Sequence, residues 1–279
     1  MSEHRTVSWF SCGAASAVAT KLALSEGGKV TIAYCEVAEE HPDNKRFLKD
    51  CEEWFGQEII ILGNDKYNRS IYEVFEKTRY LVGPAGARCT KELKKTVRLK
   101  FELPTDRQVF GYTVEEQRRA DRFIDANAQV DVWPILIERG LKKSDCLAII
   151  QDSGIELPEM YKLGYKNNNC MGCVKNCTPK YWKKIKIDFP EMFEKMNKIE
   201  QHLGRSVCQL DMKLVKNKYP EKYKELGSPD LFRENGTPNY WRLQLNEIPD
   251  DIEPLDDAPD IQCGIFCELA EQDIAGVKA

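Results

Sequence analysis

The feature that most constrains the fold is an alternation of short apolar, β-branched runs with helical segments along the first half of the chain. The spacing between successive runs is that of β-α-β units. This pattern predicts an α/β fold in which a twisted parallel sheet carries helices on both faces. The predicted strands are 6–10, 29–35, 58–62, 108–112 and 130–137. The predicted helices are 16–24, 44–55, 70–78, 91–101, 114–126 and 143–153.

Beyond residue 158 the alternation stops. Residues 167–177 form a cysteine-rich loop, and 178–203 has helical periodicity with a break expected near Pro190. The remainder is polar and rich in Pro and Gly, and its fold is not assigned by pattern. We therefore expect an α/β domain at 1–158 and a mostly helical, cysteine-containing region at 159–279.

Composition narrows the class of protein. The chain has 279 residues, is 42% apolar and 31% charged, and carries a net charge of −4. These values are typical of a globular protein and exclude a global basic field that would attract nucleic acid. The sequence has no apolar run long enough for a membrane span and no secretory leader pattern, so we expect a cytoplasmic protein without a membrane partner.

Eleven cysteines are difficult to explain as disulfides in a reducing compartment. Clustered cysteines then favour metal binding or catalysis. The scattered ones are expected to be buried small hydrophobic residues. These are Cys35, Cys51, Cys146 and Cys208.

A turn of small residues joins the first predicted strand to the first predicted helix. In Ser11-Cys12-Gly13-Ala14-Ala15-Ser16 the backbone N–H groups can approach an anion closely, and the helix N-terminus adds a partial positive charge. The hydroxyls of Ser11 and Ser16 can donate to phosphate oxygens. The loop is not a Walker motif, and an ordinary tight β-α turn is the alternative.

This loop resembles the SGGxDS signature of the PP-loop ATP pyrophosphatases. Ser11, Gly13 and Ser16 match the pattern, whereas Cys12 replaces a Gly and Ala15 replaces the Asp. The variation at the Asp position is closer to the phosphoadenylylsulfate (PAPS) reductase-like branch. The resemblance implies an adenine nucleotide alpha hydrolase-like fold for 1–158 and an adenylyl nucleotide, ATP or adenylylsulfate, as ligand.

The loop after the second predicted strand lies near the adenosine in that family. His41 and Asp43 occupy the corresponding positions and are candidate ligand contacts. The alternative is that Asp43 or Asn44 is the N-cap of the following helix.

Two further segments contain candidate ligand residues. Lys91 and Lys94 lie on a basic helix and could neutralise phosphate or sulfate, or could belong to a solvated face. Gly111 lies near the end of the fourth predicted strand and Arg119 lies on the helix that follows, and both match a Gly- and Arg-containing segment of the family. For Arg119, an ion pair with a neighbouring glutamate is the alternative.

Cys170, Cys173 and Cys177 form a dense C-x2-C-x3-C triplet. Two thiolates in a CxxC can reach one metal or cluster, and a redox pair or structural thiols are the alternatives. The resemblance to the iron–sulfur adenylylsulfate reductases implies Cys89, Cys170 and Cys173 as ligands. A 4Fe-4S cluster is then expected, with zinc as the alternative. The candidates for the fourth ligand are Cys177, Cys263 and Cys267.

The sequence Gln262-Cys263-Gly264-Ile265 resembles the ECG(L/I)H tail of sulfonucleotide reductases, which implies Cys263 as a catalytic nucleophile. Phe266 stands where the tail has His. Cys267 adds a second thiol, so a CxxxC ligand pair is equally consistent with the pattern.

These motifs and the resemblance suggest three alternative functions. The first is a sulfurtransferase that binds ATP and delivers sulfur to a larger substrate such as nucleic acid, using cysteines or an iron–sulfur cluster. The second is a sulfonucleotide reductase that releases sulfite. The third is a noncatalytic nucleotide-binding module with structural zinc. A sulfur- or electron-donor protein and a second copy of the chain are the other expected partners.

Overall fold

The computed structural model describes residues 5–256, 259–262 and 265–276. These residues form two compact units. The first contains the described residues of 1–69, 93–169 and 257–279, and the second contains 70–92 and 170–256. This division differs from the expected boundary at 158. The chain leaves the first unit at residue 70 and returns at 93, and it leaves again at 170 and returns after 256. A pattern read along the chain does not reveal such returns.

The helices and strands have the following bounds. The strands are β1 (Thr6–Phe10), β2 (Val30–Cys35), β3 (Ile60–Leu62), β4 (Val82–Gly83), β5 (Gly86–Ala87), β6 (Arg107–Val109), β7 (Asp131–Trp133), β8 (Cys208–Asp211) and β9 (Tyr240–Leu243). The helices are α1 (Ala14–Ser25), α2 (Asn44–Phe55), α3 (Ile71–Thr78), α4 (Thr96–Phe101), α5 (Gln117–Ala126), α6 (Ile135–Glu138), α7 (Lys143–Asp152), α8 (Glu159–Lys162), α9 (Pro179–Asp188), α10 (Pro190–Leu203), α11 (Met212–Lys218), α12 (Pro220–Glu225) and α13 (Ile265–Ala275). A π-helical turn, Thr90–Lys95, precedes α4.

A five-stranded parallel sheet in the order β3-β2-β1-β6-β7 forms the centre of the first unit. The chain builds outward from β1 in one direction through β2 and β3, and in the other through β6 and β7. The strand order therefore reverses between β1 and β6. Ligands of such sheets bind beyond the carboxyl ends of the strands at this reversal. The predicted α/β fold is confirmed.

Both faces of the sheet are covered, as the near-continuous apolar runs of β1 and β2 predict. Alternate residues of β1 point to opposite faces. Val7 and Trp9 pack with Val97 of α4, and Phe10 packs with Phe47 of α2 and Leu22 of α1 in the larger core. The Ala-rich sequence of α1 allows it to lie close to the sheet. This packing fixes the position of the loop between β1 and α1.

The second unit contains α9 and α10, separated near Pro190 as predicted, with Pro at the start of each helix. The segment that the sequence left unassigned forms an antiparallel pair, β8 with β9, together with α11 and α12. Each strand of this pair has four residues, which is too short for a clear alternation.

Several predicted elements differ from the structure in their bounds or in their type of helix. The strand predicted at 108–112 ends at Val109, so Gly111 lies in the following loop. The helix predicted at 91–101 begins as the π-helical turn. The strand predicted at 130–137 ends at Trp133, because Pro134 cannot continue the hydrogen-bonded ladder. None of the described helices is both long and apolar enough to cross a membrane.

Candidate functional site

The loop between β1 and α1 has a left-handed turn at its second residue. Cys12 has φ +54° and is fully buried. A residue with a side chain pays about 1–2 kcal/mol for this conformation, whereas Gly adopts it freely. The PP-loop pattern has a Gly at this position, and the backbone here has the conformation that favours one.

The hydroxyl of Ser16 closes the loop. Its Oγ accepts hydrogen bonds from the Ser11 backbone nitrogen and from Ser11 Oγ, both at 3.0 Å, and donates to the Gly13 carbonyl at 2.9 Å. In the structure the Ser16 hydroxyl is engaged by the loop itself, and its contact with phosphate stays a prediction. Ser16 shapes the loop, and Ser11 is the exposed member of the pair.

The loop after β6 packs directly against the first turn of α1. A Cβ built on Gly111 would lie 2.7 Å from the backbone nitrogen of Ser16 and 2.9 Å from the carbonyl carbon of Ala15. Real Cβ atoms do not approach backbone this closely, so only Gly fits. The two loops that flank the strand-order reversal are thus in backbone contact.

The N-terminus of α1 lies beside this backbone contact, and no capping side chain neutralises its partial positive charge. Gly13 occupies the N-cap position and makes no side-chain capping bond. The first N–H groups of a helix have no acceptor within the helix. The Ala14 N–H reaches the hydroxyl of Tyr161 at 3.4 Å, which is long for a hydrogen bond. The first turn can therefore bind an anion.

The carboxylate of Asp43 is engaged by other groups of the protein. Its carboxylate pairs with Arg46 at 2.7 Å and accepts the Glu159 backbone N–H at 3.0 Å. The Arg46 hydrogen bond lowers the pKa of Asp43. Asp43 precedes α2 but makes no side-chain capping bond to it. The Asp43 N–H donates to Nδ1 of His41 at 3.2 Å, and His41 is half-buried.

Sequence reasoning missed Glu40, which is buried beside the loop after β2. Its Oε1 pairs with Nζ of Lys94 at 2.9 Å. Its Oε2 accepts hydrogen bonds from the Tyr34 hydroxyl at 2.5 Å and from Nδ2 of Asn44 at 3.0 Å. Lys94, expected to meet a ligand, is therefore engaged by a protein carboxylate. Lys91 is exposed.

Arg119 lies on the surface of α5. Its guanidinium pairs with Glu116 and lies over the ring of Tyr112, 5.4 Å from the ring centre. The ion-pair alternative raised from the sequence is thus observed. A surface pair of this kind is weak and leaves the guanidinium available to a ligand.

Four cysteines lie in the second unit, and each is half-buried: Cys89, Cys170, Cys173 and Cys177. Cys89 is 81 positions before Cys170 in the chain. The fold therefore brings the segment that contains Cys89 into the same compact unit as the CxxC.

The loop that holds the CxxC is well ordered by hydrogen bonds. Gly172 has φ +83°, and a Cβ there would lie 3.3 Å from the ring of Trp182. The Cys173 N–H donates to the Tyr181 hydroxyl at 2.8 Å, and Nε1 of Trp182 donates to the Asn176 carbonyl at 2.9 Å. The positive φ of Gly172 thus favours Gly, and a side chain there would crowd the Trp182 ring.

Gln209 of β8 makes two hydrogen bonds to Cys177, and sequence reasoning did not find them. The Gln209 backbone N–H donates to the Cys177 carbonyl at 2.9 Å, and Nε2 lies 3.1 Å from the Cys177 sulfur. Hydrogen bonds of this kind orient the side chains that ligate metals in proteins.

Cysteine thiolates are ligands that soft metals and iron–sulfur clusters prefer. Within the described part of the chain, however, no three His, Cys, Asp or Glu side chains are gathered into a group that could hold a metal ion. Cys267 is buried in the first unit with its sulfur in a disulfide, so in this form it is not a thiolate ligand. Cys263 lies outside the described residues.

The scattered cysteines are buried free thiols, as predicted from their isolation in the sequence. Burial raises the pKa of each of these thiols, to about 11 for Cys35. They are Cys35, Cys51, Cys146 and Cys208.

Comparison of the chain with protein-family models and with curated proteins finds no match.

Proposed function

We propose that the chain binds an adenylyl nucleotide, ATP or adenylylsulfate, with its phosphates against the loop 11–16. The observation that carries this proposal is the backbone contact between Gly111 and the first turn of α1. The contact lies where the strand order reverses, which is where parallel α/β sheets bind nucleotides. The left-handed turn at Cys12 and the uncapped start of α1 supply the N–H groups that a phosphate accepts.

We further propose that the chain is an enzyme of the PAPS reductase-like type that transfers sulfur to a larger substrate, such as a nucleic acid. Support comes from the four half-buried thiols of the second unit and from the Gln209 amide directed at Cys177. A metal centre held by Cys89, Cys170, Cys173 and Cys177 would require their side chains to move together, since no three of them are gathered in the described residues. As an iron–sulfur cluster, it would supply sulfur or electrons. With Cys267 in a disulfide, Cys177 is the better candidate for the fourth ligand.

A ligand panel tests the nucleotide step. ATP, adenylylsulfate, AMP and inorganic pyrophosphate are added separately, and the melting temperature is measured. A ligand that binds only the folded state raises the melting temperature as its concentration rises. We expect the adenylyl nucleotides that carry a phosphate or sulfate beyond the first phosphate to raise it more than AMP. No shift with any adenylyl nucleotide contradicts the proposal.

Anaerobic purification tests the metal step. A brown protein that absorbs near ~400 nm and contains iron and acid-labile sulfide supports a thiolate-bound cluster. The paired change Cys170→Ala and Cys173→Ala should remove this absorbance, whereas Cys208→Ala, at a buried thiol outside the set, should keep it. Zinc without iron favours the noncatalytic module. Release of sulfite from adenylylsulfate favours the reductase over the sulfurtransferase.

A further inference from the structure

Within the first unit, hydrogen bonds connect the segment just before the CxxC to the loop 11–16, which is called the nucleotide loop below. Nδ2 of Asn168 donates to the Cys12 carbonyl at 2.5 Å and to Oδ1 of Asn44 at 2.8 Å. Asn168 is 8% exposed, so both bonds are sheltered from water. The Cys12 carbonyl belongs to the residue with the left-handed turn, so Asn168 helps to hold the loop in its strained conformation.

The orientation of this amide is determined by a buried carboxylate. Glu40 can only accept, so the nitrogen of the Asn44 amide must face Oε2 of Glu40, at 3.0 Å. The oxygen of Asn44 then faces Asn168, which must present its nitrogen in return. A flipped Asn168 amide would place its oxygen against two acceptors, so the observed orientation is the stable one.

This orientation leaves the side-chain oxygen of Asn168, Oδ1, without a donor in the described part of the chain. Oδ1 is buried and has no hydrogen-bond partner within the described residues. A buried acceptor without a partner costs about 1–3 kcal/mol. The bond to the Cys12 carbonyl is therefore made in an orientation that leaves Oδ1 without a partner among the described residues.

Tyr161 provides a second link between the same two segments. Its hydroxyl accepts hydrogen bonds from the backbone N–H groups of Ala14 and Asn168. The bond from Ala14 is long, at 3.4 Å. An anion at the start of α1 would compete for the Ala14 N–H, and charge-assisted bonds are shorter and stronger than neutral ones. Ligand binding would thus loosen the hold of Tyr161 on the loop and alter its contact with Asn168.

We propose that Asn168 and Tyr161 are positioning residues that couple binding at the nucleotide loop to the conformation of the cysteine loop, residues 170–177. Cys170 is two residues after Asn168 in the chain, so its Cα lies within about 7 Å of the Asn168 Cα by connectivity alone. A shift of the Asn168 backbone is therefore passed directly to the first cysteine of the CxxC. This proposal rests on the nucleotide-binding role proposed above.

Hydrogen–deuterium exchange of the full chain, with and without saturating ATP, separates the two proposals. Peptides covering 11–25 report on the nucleotide loop, and peptides covering 169–178 report on the cysteine loop. We expect ATP to slow exchange in the first region and to change the rate in the second by at least about threefold. If 11–25 does not respond, the nucleotide-binding proposal fails and this one fails with it. If 11–25 responds and 169–178 does not, only the coupling is overturned.

The variants Asn168→Ala and Tyr161→Phe test which residues provide the coupling. Because both residues contact the loop, the ATP response of 11–25 can change in size in each variant, and the coupling is measured as the response of 169–178 relative to that of 11–25. This ratio should fall by at least about threefold in each variant. Asn127→Ala is the matched control, because Nδ2 of Asn127 also donates to a backbone carbonyl in the same unit, that of Phe123 at 2.7 Å. It should respond as the unaltered chain does. An unchanged response of 169–178 in both loop variants, each with an unaltered melting temperature, overturns the proposal.

Discussion

A Cβ placed on Gly111 would lie 2.7 Å from the backbone nitrogen of Ser16. The loop after β6 and the first turn of α1 therefore meet backbone to backbone, with no room for a side chain between them. The contact joins the two strands between which the order of the sheet reverses. It fixes the distance between two loops that an extended phosphate-bearing ligand would touch together.

Gly111→Ala should destabilise the fold, because the obstructing atoms belong to backbone and cannot rotate away. We expect the free energy of unfolding to fall by about 1–3 kcal/mol, as for other overpacked sites. Urea denaturation measures the change. Gly276→Ala is the control, since its new Cβ would be 3.4 Å from the Gln272 carbonyl oxygen, an ordinary contact. Equal midpoints for both variants would show that the Gly111 contact is looser than described.

The ion pair between Glu40 and Lys94 should contribute measurably to stability. The Glu40 side chain is 4% exposed and that of Lys94 is 40% exposed, so Lys94→Met leaves a buried carboxylate without its cation. A fully buried pair would lose about 3–5 kcal/mol, and the exposed amine reduces this to about 1–2 kcal/mol. A double-mutant cycle with Glu40→Gln isolates the pair. A coupling energy near zero would mean that Lys94 is free for another partner.

Glu200 should make the stability of the protein depend on pH. Its carboxyl group is fully buried, accepting the backbone N–H groups of Val207 and Leu245, and burial raises its pKa to about 7. The folded state therefore holds this proton more tightly than the unfolded state, whose carboxyl has the ordinary pKa of 4.5. The resulting stabilisation is complete below about pH 4.5 and is lost as pH rises through about 7.

We therefore expect the free energy of unfolding to fall between pH 5 and pH 8 by roughly 1–3 kcal/mol. Glu200→Gln should remove this slope and lower stability at pH 5, because its amide nitrogen cannot accept one of the two N–H groups. Urea titrations at several pH values measure both effects. Glu225→Gln, at an exposed residue, should keep the slope. A slope that survives in Glu200→Gln would assign it to another group.

Thiol alkylation should distinguish two classes of cysteine. Cys51, Cys146 and Cys208 are buried with raised pKa values, so they should stay unmodified by iodoacetamide in the native protein. Cys170, Cys173 and Cys177 are half-buried and should react faster after a chelator removes bound metal. Peptide mass spectrometry counts the modified sites. Complete reaction of the CxxC before chelation would contradict a metal centre there.

The sequence predicted what depends on neighbours along the chain. The strand β1, the turn after it and helix α1 are local, and the alternation of such elements predicts the parallel sheet. Gly111 was found by pattern, but its reason is a contact with Ser16, 95 positions away. The roles of Glu40, Asn168 and Gln209 depend wholly on side-chain contacts between distant segments, which no local spacing shows. The same holds for the placement of 70–92 with the second unit.

Isothermal titration of the full chain with ATP tests the central claim most directly. The account predicts saturable binding of one ATP per chain, with Kd at least about tenfold weaker in Gly111→Ala, or about 1.4 kcal/mol, and unchanged in Gly276→Ala. Titration well below the melting temperature of each variant keeps the comparison among folded proteins. No saturable binding, or one Kd shared by all three proteins, would contradict a nucleotide site at the loop 11–16.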